Sequence, residues 1–300
     1  MCYQKFYIIQ QDLTNMAKST KHSLHSSFYP HIDGHKFTAV VKKLRKFFDE
    51  KGFLEVHTQN RLSILSACED PFNIRTFYYN KNTYPLPQTG QMWLEHELLN
   101  NPNEKGFYCL STSYRDEANP IEGRHCLIFP MFEFEFPGSM TNLHLMETEL
   151  LEFLGFKNHQ IANYEDLCKE YDVEIIDSEI EGKIGNEKSN VFSIMNFPER
   201  TNPFWNMARA TNGKARKIDV ILFGQETIGS AERSCDKEEM RKIFFEIEGG
   251  RYAEKLFSLF GYDRVMIELN EFLSNDFFQR VGGGIGITRL IRAMELNGIL

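Results

Sequence analysis

The sequence predicts an α+β fold, a mostly antiparallel sheet flanked by helices. Three observations predict it. Strand-like runs recur in pairs around turn-rich loops, stretches of helical apolar spacing separate the pairs, and a glycine-rich strand feeds a final helix. The 300 residues are enough to bury a real core. Hydrophobic residues make up 42% and charged residues 25%, which excludes a disordered, collagen-like or coiled-coil chain. A net charge of −8, with no long basic run, confines any nucleic-acid role to a local patch.

The elements follow in order. Residues 1–34 have weak periodicity and polar clusters and are predicted to be an arm. Phe37, Val40, Val41, Leu44, Phe47 and Phe48 fall at helical spacing, and Gly52 stops that helix. Residues 53–58 then alternate like a strand. The runs 107–114 and 126–136 flank a turn-rich loop, so they form an antiparallel hairpin. In the second run Phe132, Phe134 and Phe136 share one face, and Glu133 and Glu135 the other. A helix is predicted over 143–154, and residues 155–212 are the least regular stretch. Residues 218–223, Gly224 and the run from Glu226 make a second hairpin. Residues 236–260 are mostly helical, and residues 281–289 lead into a last helix.

No apolar run approaches the ~20 residues of a membrane span, and the apolar stretch near residues 5–9 is too short for a signal peptide. The six cysteines show no metal-ligand spacing and read as reduced, cytoplasmic thiols. Cys2, directly after Met1, would act as an N-terminal nucleophile only beside a glutaminase domain, for which there is no room before the first helix.

Three constellations carry chemistry. Gly282-Gly283-Gly284-Ile285-Gly286 precedes Arg289, where a glycine-lined strand admits a ligand and an arginine clamps phosphate. Tight helix-on-sheet packing explains the same glycines equally well. Too few residues follow Gly286 for a dinucleotide unit, and no G-K-[ST] phosphate loop occurs. Arg115, Asp116 and Glu117 on one strand, then Arg124, His125, Phe129 and Glu133, form either a nucleotide-binding floor or a surface ladder of charge pairs. Asp219 and Glu226 flank the second hairpin, with Arg233 seven residues on. They read as Mg²⁺ ligands or as solvated strand ends.

In this order the three resemble the motif core of the class II aminoacyl-tRNA synthetases over roughly residues 35–296. Residues 34–59 resemble the dimer-forming first motif, with Gln59 near the place of its usual proline. Residues 114–129 resemble the second motif, with Ile128 where the family usually has glutamate, and residues 284–289 the third. Cys68-Glu69, Gln91 to Glu95, and the pair Glu226 and Arg233 are similar to the aspartate/asparagine branch. Leu94 stands where the aspartyl enzymes carry lysine. With only an arm before the core, the chain also resembles the ammonia-dependent asparagine synthetases related to asparaginyl-tRNA synthetase.

The resemblance implies a catalytic domain over 35–300 without an anticodon-binding domain. It implies ATP and Mg²⁺ as cofactors, aspartate and ammonia as substrates, a homodimer, and little affinity for tRNA. It also implies roles. Arg115 bridges carboxylate and α-phosphate, Arg289 and His125 hold the γ-phosphate, and Phe129 stacks on adenine. Asp116, Glu117, Arg124 and Gly286 complete the ATP site. Asp219 and Glu226 hold the metal. Glu69 and Gln91 fix the amino acid's ammonium, Arg233 holds its second carboxylate, and Glu133 is a further substrate-binding residue. Two further readings stay open: a ligase that passes the amino acid to tRNA or protein, and a non-catalytic paralogue that only binds.

Overall fold

The computed structural model describes residues 28–64 and 71–300. Its first elements are α1 (Gly34–Glu50), β1 (Leu54–Glu55), β2 (Thr76–Tyr79), β3 (Asn82–Pro85), α2 (Gln91–Asn100), β4 (Phe107–Tyr114), β5 (Ile128–Pro137) and α3 (Met140–Leu154). Next come β6 (Gln160–Asn163), α4 (Tyr164–Tyr171), α5 (Ser178–Glu187), β7 (Val191–Phe197), β8 (Ala215–Leu222) and β9 (Gln225–Glu232). The chain continues through α6 (Lys237–Glu246), α7 (Arg251–Phe260), α8 (Tyr262–Leu273), β10 (Arg280–Gly286) and α9 (Ile287–Leu296). Eight strands form one sheet in the order β1-β4-β5-β10-β9-β8-β7-β6, and β2 and β3 form a separate hairpin. Only the outer pairs, β1 with β4 and β6 with β7, run parallel.

Alternation along β5 builds the first layer. Phe132 and Phe134 pack under α1, α3 and α9 through Val40, Leu44, Phe48, Leu143, Leu150, Leu290 and Met294. Asp33 starts α1 by accepting from the His35 and Lys36 amides at 2.8 and 3.0 Å. On the opposite face Trp205, Phe244, Tyr252, Leu256 and Phe272 pack α6 to α8 against Ala215 and Ala231. Among the described residues no helix is long and apolar enough to cross a membrane, and Cys109, Cys126, Cys168 and Cys235 are free thiols. Cys2 and most of the predicted arm lie outside the described residues.

Both predicted hairpins form, as β4–β5 and β8–β9. Phe223 and Gly224, with φ of 48° and 74°, make the two-residue turn of the second. The strand expected over 53–58 shortens to β1, an edge strand with one further backbone bond from the Val56 amide to Tyr108. The helical stretch expected over 236–260 continues to Leu273, broken at the left-handed Gly249 and Gly250 and again at Gly261. The stretch 155–212 holds two strands and two helices that periodicity did not reveal. The run 191–194 of β7 is buried on both faces, so it does not alternate, and α5 contains two glycines. Gly185 is there because a Cβ would stand 2.7 Å from the Gly224 amide nitrogen.

Glu147 of α3 is fully buried, and burial pushes its carboxyl up to about 8 against the opposing Ser230 hydroxyl. The raised value means that the bound proton stabilises the fold. That contribution is complete below about 4.5, the ordinary value, and is lost as pH rises through about 8. Glu147→Gln should therefore flatten the loss of stability between pH 5 and 8.5. Urea midpoints at the two values check this, and an unchanged slope would contradict it.

Candidate active site

Register places the site on the face of the sheet opposite the phenylalanines. Glu133 of β5 pairs with Gly284 of β10, Gly284 with Gly229 of β9, and Gly229 with Asp219 of β8. Two carboxylates thus end a row whose middle two positions have no side chain. A cavity of about 210 Å³ lies on this bare floor. Arg115, Glu117, Arg124, His125, Phe129, Met131, Glu133, Glu226, Gly286 and Arg289 line it, with Gln91. Both explanations of the glycines hold at once. Gly284 and Gly229 keep the floor open, whereas Gly282 and Gly283 are there for packing. A Cβ at Gly282 would lie 1.7 Å from Glu135 Oε2, and one at Gly283 would lie 2.5 Å from Ser230 Cβ. Gly282→Ala should accordingly cost about 1–3 kcal/mol. Gly182→Ala, in α5 with nothing within 4 Å of the new Cβ, should be neutral or stabilising. Parallel urea melts compare the two, and equal stabilities would contradict the packing argument.

The cavity's cations are concentrated at its outer end. The Arg115 guanidinium lies 5.5 Å over the Phe129 ring, and its Nε is buried without a hydrogen-bond partner. Among the described residues no carboxylate stands within ion-pair distance of Arg115. Arg289 donates to the Glu226 carbonyl at 2.6 Å, with the Glu226 carboxylate 4.0 Å away. Arg124 pairs with Glu181 and donates to the Gly224 carbonyl at 3.2 Å. His125 Nδ1 lies 2.9 Å from Glu117. Burial lowers the His125 pKa, Glu117 opposes this, and Arg289, Arg124 and Arg115 lower it further.

The inner end is a fixed acceptor. The Glu133 carboxylate accepts from the Thr89 and Ser111 hydroxyls and from the Gly90 amide at 2.9 Å. Burial raises its pKa, and these donors with Arg115 oppose the rise. Gln91 Nε2 donates to the Phe134 carbonyl at 3.1 Å and to Glu135. Asp219 ends the row beyond Gly229 and is not part of the cavity wall. Burial pushes it up to about 7, Lys217 opposes this, and the Glu226 charge adds to the rise. Asp219 Oδ1 is buried without a hydrogen-bond partner. A Cβ built on Gly229 would sit 3.0 Å from Glu226 Oε1 and 3.6 Å from Asp219 Oδ1. Two hard oxygens thus face one spot that only glycine leaves open. Among the described residues no group of three His, Cys, Asp or Glu side chains gathers around one point. A two-carboxylate donor set fits Mg²⁺, which commonly takes one or two protein carboxylates.

Most of the predicted site residues meet at this cavity, but not all. Asp116 pairs with Arg75 and is not part of the wall. Arg233 is also not part of the wall. It is buried and donates to Glu135 at 3.1 Å from Nη2, with Glu95 3.6 Å from its Nε. Glu69 and Cys68 lie outside the described residues. Sequence reasoning missed Thr89 and Ser111, which orient Glu133 and carry no motif of their own. It missed Arg280 and gave no role to Glu95, although Glu95 closes the run Gln91 to Glu95 singled out above; the two pair at 2.9 Å and are fully buried.

Known proteins share this fold. A curated relative, the aspartate–tRNA(Asp/Asn) ligase of Methanopyrus kandleri, is 24% identical over 223 residues, 65% of this chain and 51% of the relative. The chain thus spans about half the length of the curated relative it matches. The asparaginyl-tRNA synthetase of Pyrococcus horikoshii, solved with asparaginyl-adenylate, superposes with a TM-score of 0.69 at 16% identity, over 86% of this chain and 64% of that one. The Entamoeba histolytica asparaginyl-tRNA synthetase, also solved with asparaginyl-adenylate, gives 0.68 at 17% identity, over 88% and 63%. At such identities the likeness establishes the fold. These relatives being tRNA ligases, they lend no support to the expectation of little tRNA affinity. The family model for class II tRNA synthetases (D, K and N) matches residues 35–295, and the chain belongs to that family.

Proposed function

We propose that this chain activates aspartate with ATP as an acyl-adenylate and passes the acyl group to ammonia, giving asparagine, AMP and pyrophosphate. The observation that carries the activation step is Arg115, a cavity arginine with an orphaned Nε and, among the described residues, no carboxylate within ion-pair distance. A partly desolvated guanidinium is matched by an anion, and activation brings two together: a carboxylate and a triphosphate. One carboxylate oxygen attacks the α-phosphorus, the bond to the bridging oxygen breaks, and pyrophosphate leaves with that electron pair. Arg115 holds the attacking carboxylate against the α-phosphate, and Arg289 and Arg124 take charge on the leaving side. Adenine stacks on the Phe129 face away from Arg115. Asp219 and Glu226 would hold Mg²⁺, which when bound neutralises phosphate charge. Ammonia then adds to the acyl carbon, the bond to AMP breaks, and the nitrogen loses a proton to solvent. Glu133 accepts from the amino acid's ammonium. By analogy with the family the active unit is a homodimer built on α1 and β1, a point for light scattering.

One observation favours a second reading. The inner end presents Glu133, an acceptor, and keeps Arg233 behind Glu135. An amide suits that end better than a second carboxylate, so asparagine activated at its α-carboxylate, with tRNA as acceptor, fits the same walls. Hydroxylamine separates the two. Trapping with ATP and aspartate should give the β-hydroxamate and AMP. An α-hydroxamate, formed with asparagine and not with aspartate, would overturn the proposal in favour of the second reading.

A further inference from the structure

A second cavity, of about 300 Å³, backs onto the first across Arg124, His125, Cys126, Thr288 and Arg289. Its far side is formed by the segment entering α1 and by Arg292, one turn beyond Arg289 on α9. The charges on its wall do not balance. Lys36, Arg124, Arg289 and Arg292 face two carboxylates, Asp33 and Glu295. Asp33 is engaged in capping α1, and Glu295 pairs with Lys36. Arg124 has Glu181 behind it, and Arg289 has Glu226. Arg292 differs. It donates to the Phe223 carbonyl at 3.3 Å, and among the described residues no carboxylate stands within ion-pair distance of it. Burial and the neighbouring Arg124 charge hold its pKa below the ordinary guanidinium value. Two like charges on one wall repel each other, and a polyvalent anion between them relieves the repulsion.

We infer that this second cavity is a pyrophosphate subsite, with Arg292 and Arg124 as its anion-binding pair. The inference rests on the activation reading only for the origin of the anion. Pyrophosphate released beside Arg289 has this cavity on the other side of the same wall. Moving into it would clear the first cavity for the acceptor and oppose reversal of the activation step.

The test is calorimetric titration of the full chain with inorganic pyrophosphate and, separately, with α,β-methylene-ATP. Arg292→Gln should weaken pyrophosphate binding about tenfold or more, because it removes a charged hydrogen-bond donor. It should leave α,β-methylene-ATP within about twofold, and Arg292→Lys should restore most of the loss. Equal pyrophosphate affinity in Arg292→Gln would overturn the inference. An equal loss for the ATP analogue would overturn it too, by assigning Arg292 to the triphosphate in the first cavity. If the variants do not fold, the wild-type chain still decides. Pyrophosphate should bind when the protein is saturated with AMP, and mutual exclusion would count against a separate subsite. No amino acid is present in these titrations. A chain that binds pyrophosphate through Arg292 but forms no adenylate would refute the proposed function and leave the subsite standing.

Discussion

Arg115→Ala should lower aspartate-dependent exchange of pyrophosphate into ATP by about 100- to 1,000-fold, the usual cost of removing one preorganised donor from developing charge. The thermal melt should stay close to that of the wild type, because among the described residues no carboxylate loses an ion pair when this guanidinium goes. Arg289→Ala should act in the same direction with some loss of stability, since its bond to the Glu226 carbonyl goes too. Near-normal exchange in Arg115→Ala would remove it from the site. Unfolding would make it a structural residue. The prediction separates the two roles because the side chain lies in the cavity and, among the described residues, holds no ion pair.

Arg280→Met should cost about 3–5 kcal/mol, the largest stability effect expected in the molecule. Arg280, Glu95, Glu135 and Arg233 form a fully buried group of two positive and two negative charges between α2 and the sheet. Removing Arg280 leaves Glu95 with the Asn206 amide at 2.7 Å and with Arg233 at 3.6 Å, whose charge Glu135 shares. A domain stable by roughly 5–15 kcal/mol loses a large share of that. Adding Glu95→Gln to Arg280→Met should recover most of the loss, because the uncompensated charge goes as well. Urea unfolding of the two variants reads the difference. A double variant as unstable as the single one would contradict the charge argument.

The sequence made legible whatever depends on local period or on turn chemistry. Phe132 and Phe134 alternate with Glu133 and Glu135, and the structure puts the phenylalanines in the core. Gly224 marks the turn between β8 and β9. Gly286 at the end of β10 and Arg289 beyond it line one cavity with Arg115 and Arg124. What stayed hidden depends on contacts between distant segments. Arg233 and Glu135 are 98 residues apart, and nothing local says that one occupies the other. Asp116 and Glu117 were expected on the strand, but β4 ends at Tyr114, and in the loop beyond it Asp116 turns to Arg75 and Glu117 to the cavity. Gly185 has its reason in the β8–β9 turn, 39 residues on, so nothing local in the sequence points to it.

The most direct measurement is exchange of labelled pyrophosphate into ATP by the purified wild-type chain, with Mg²⁺ and each standard amino acid in turn. The account predicts exchange that depends on aspartate, with only asparagine as a competing activator. A folded chain that shows no amino-acid-dependent exchange would contradict it.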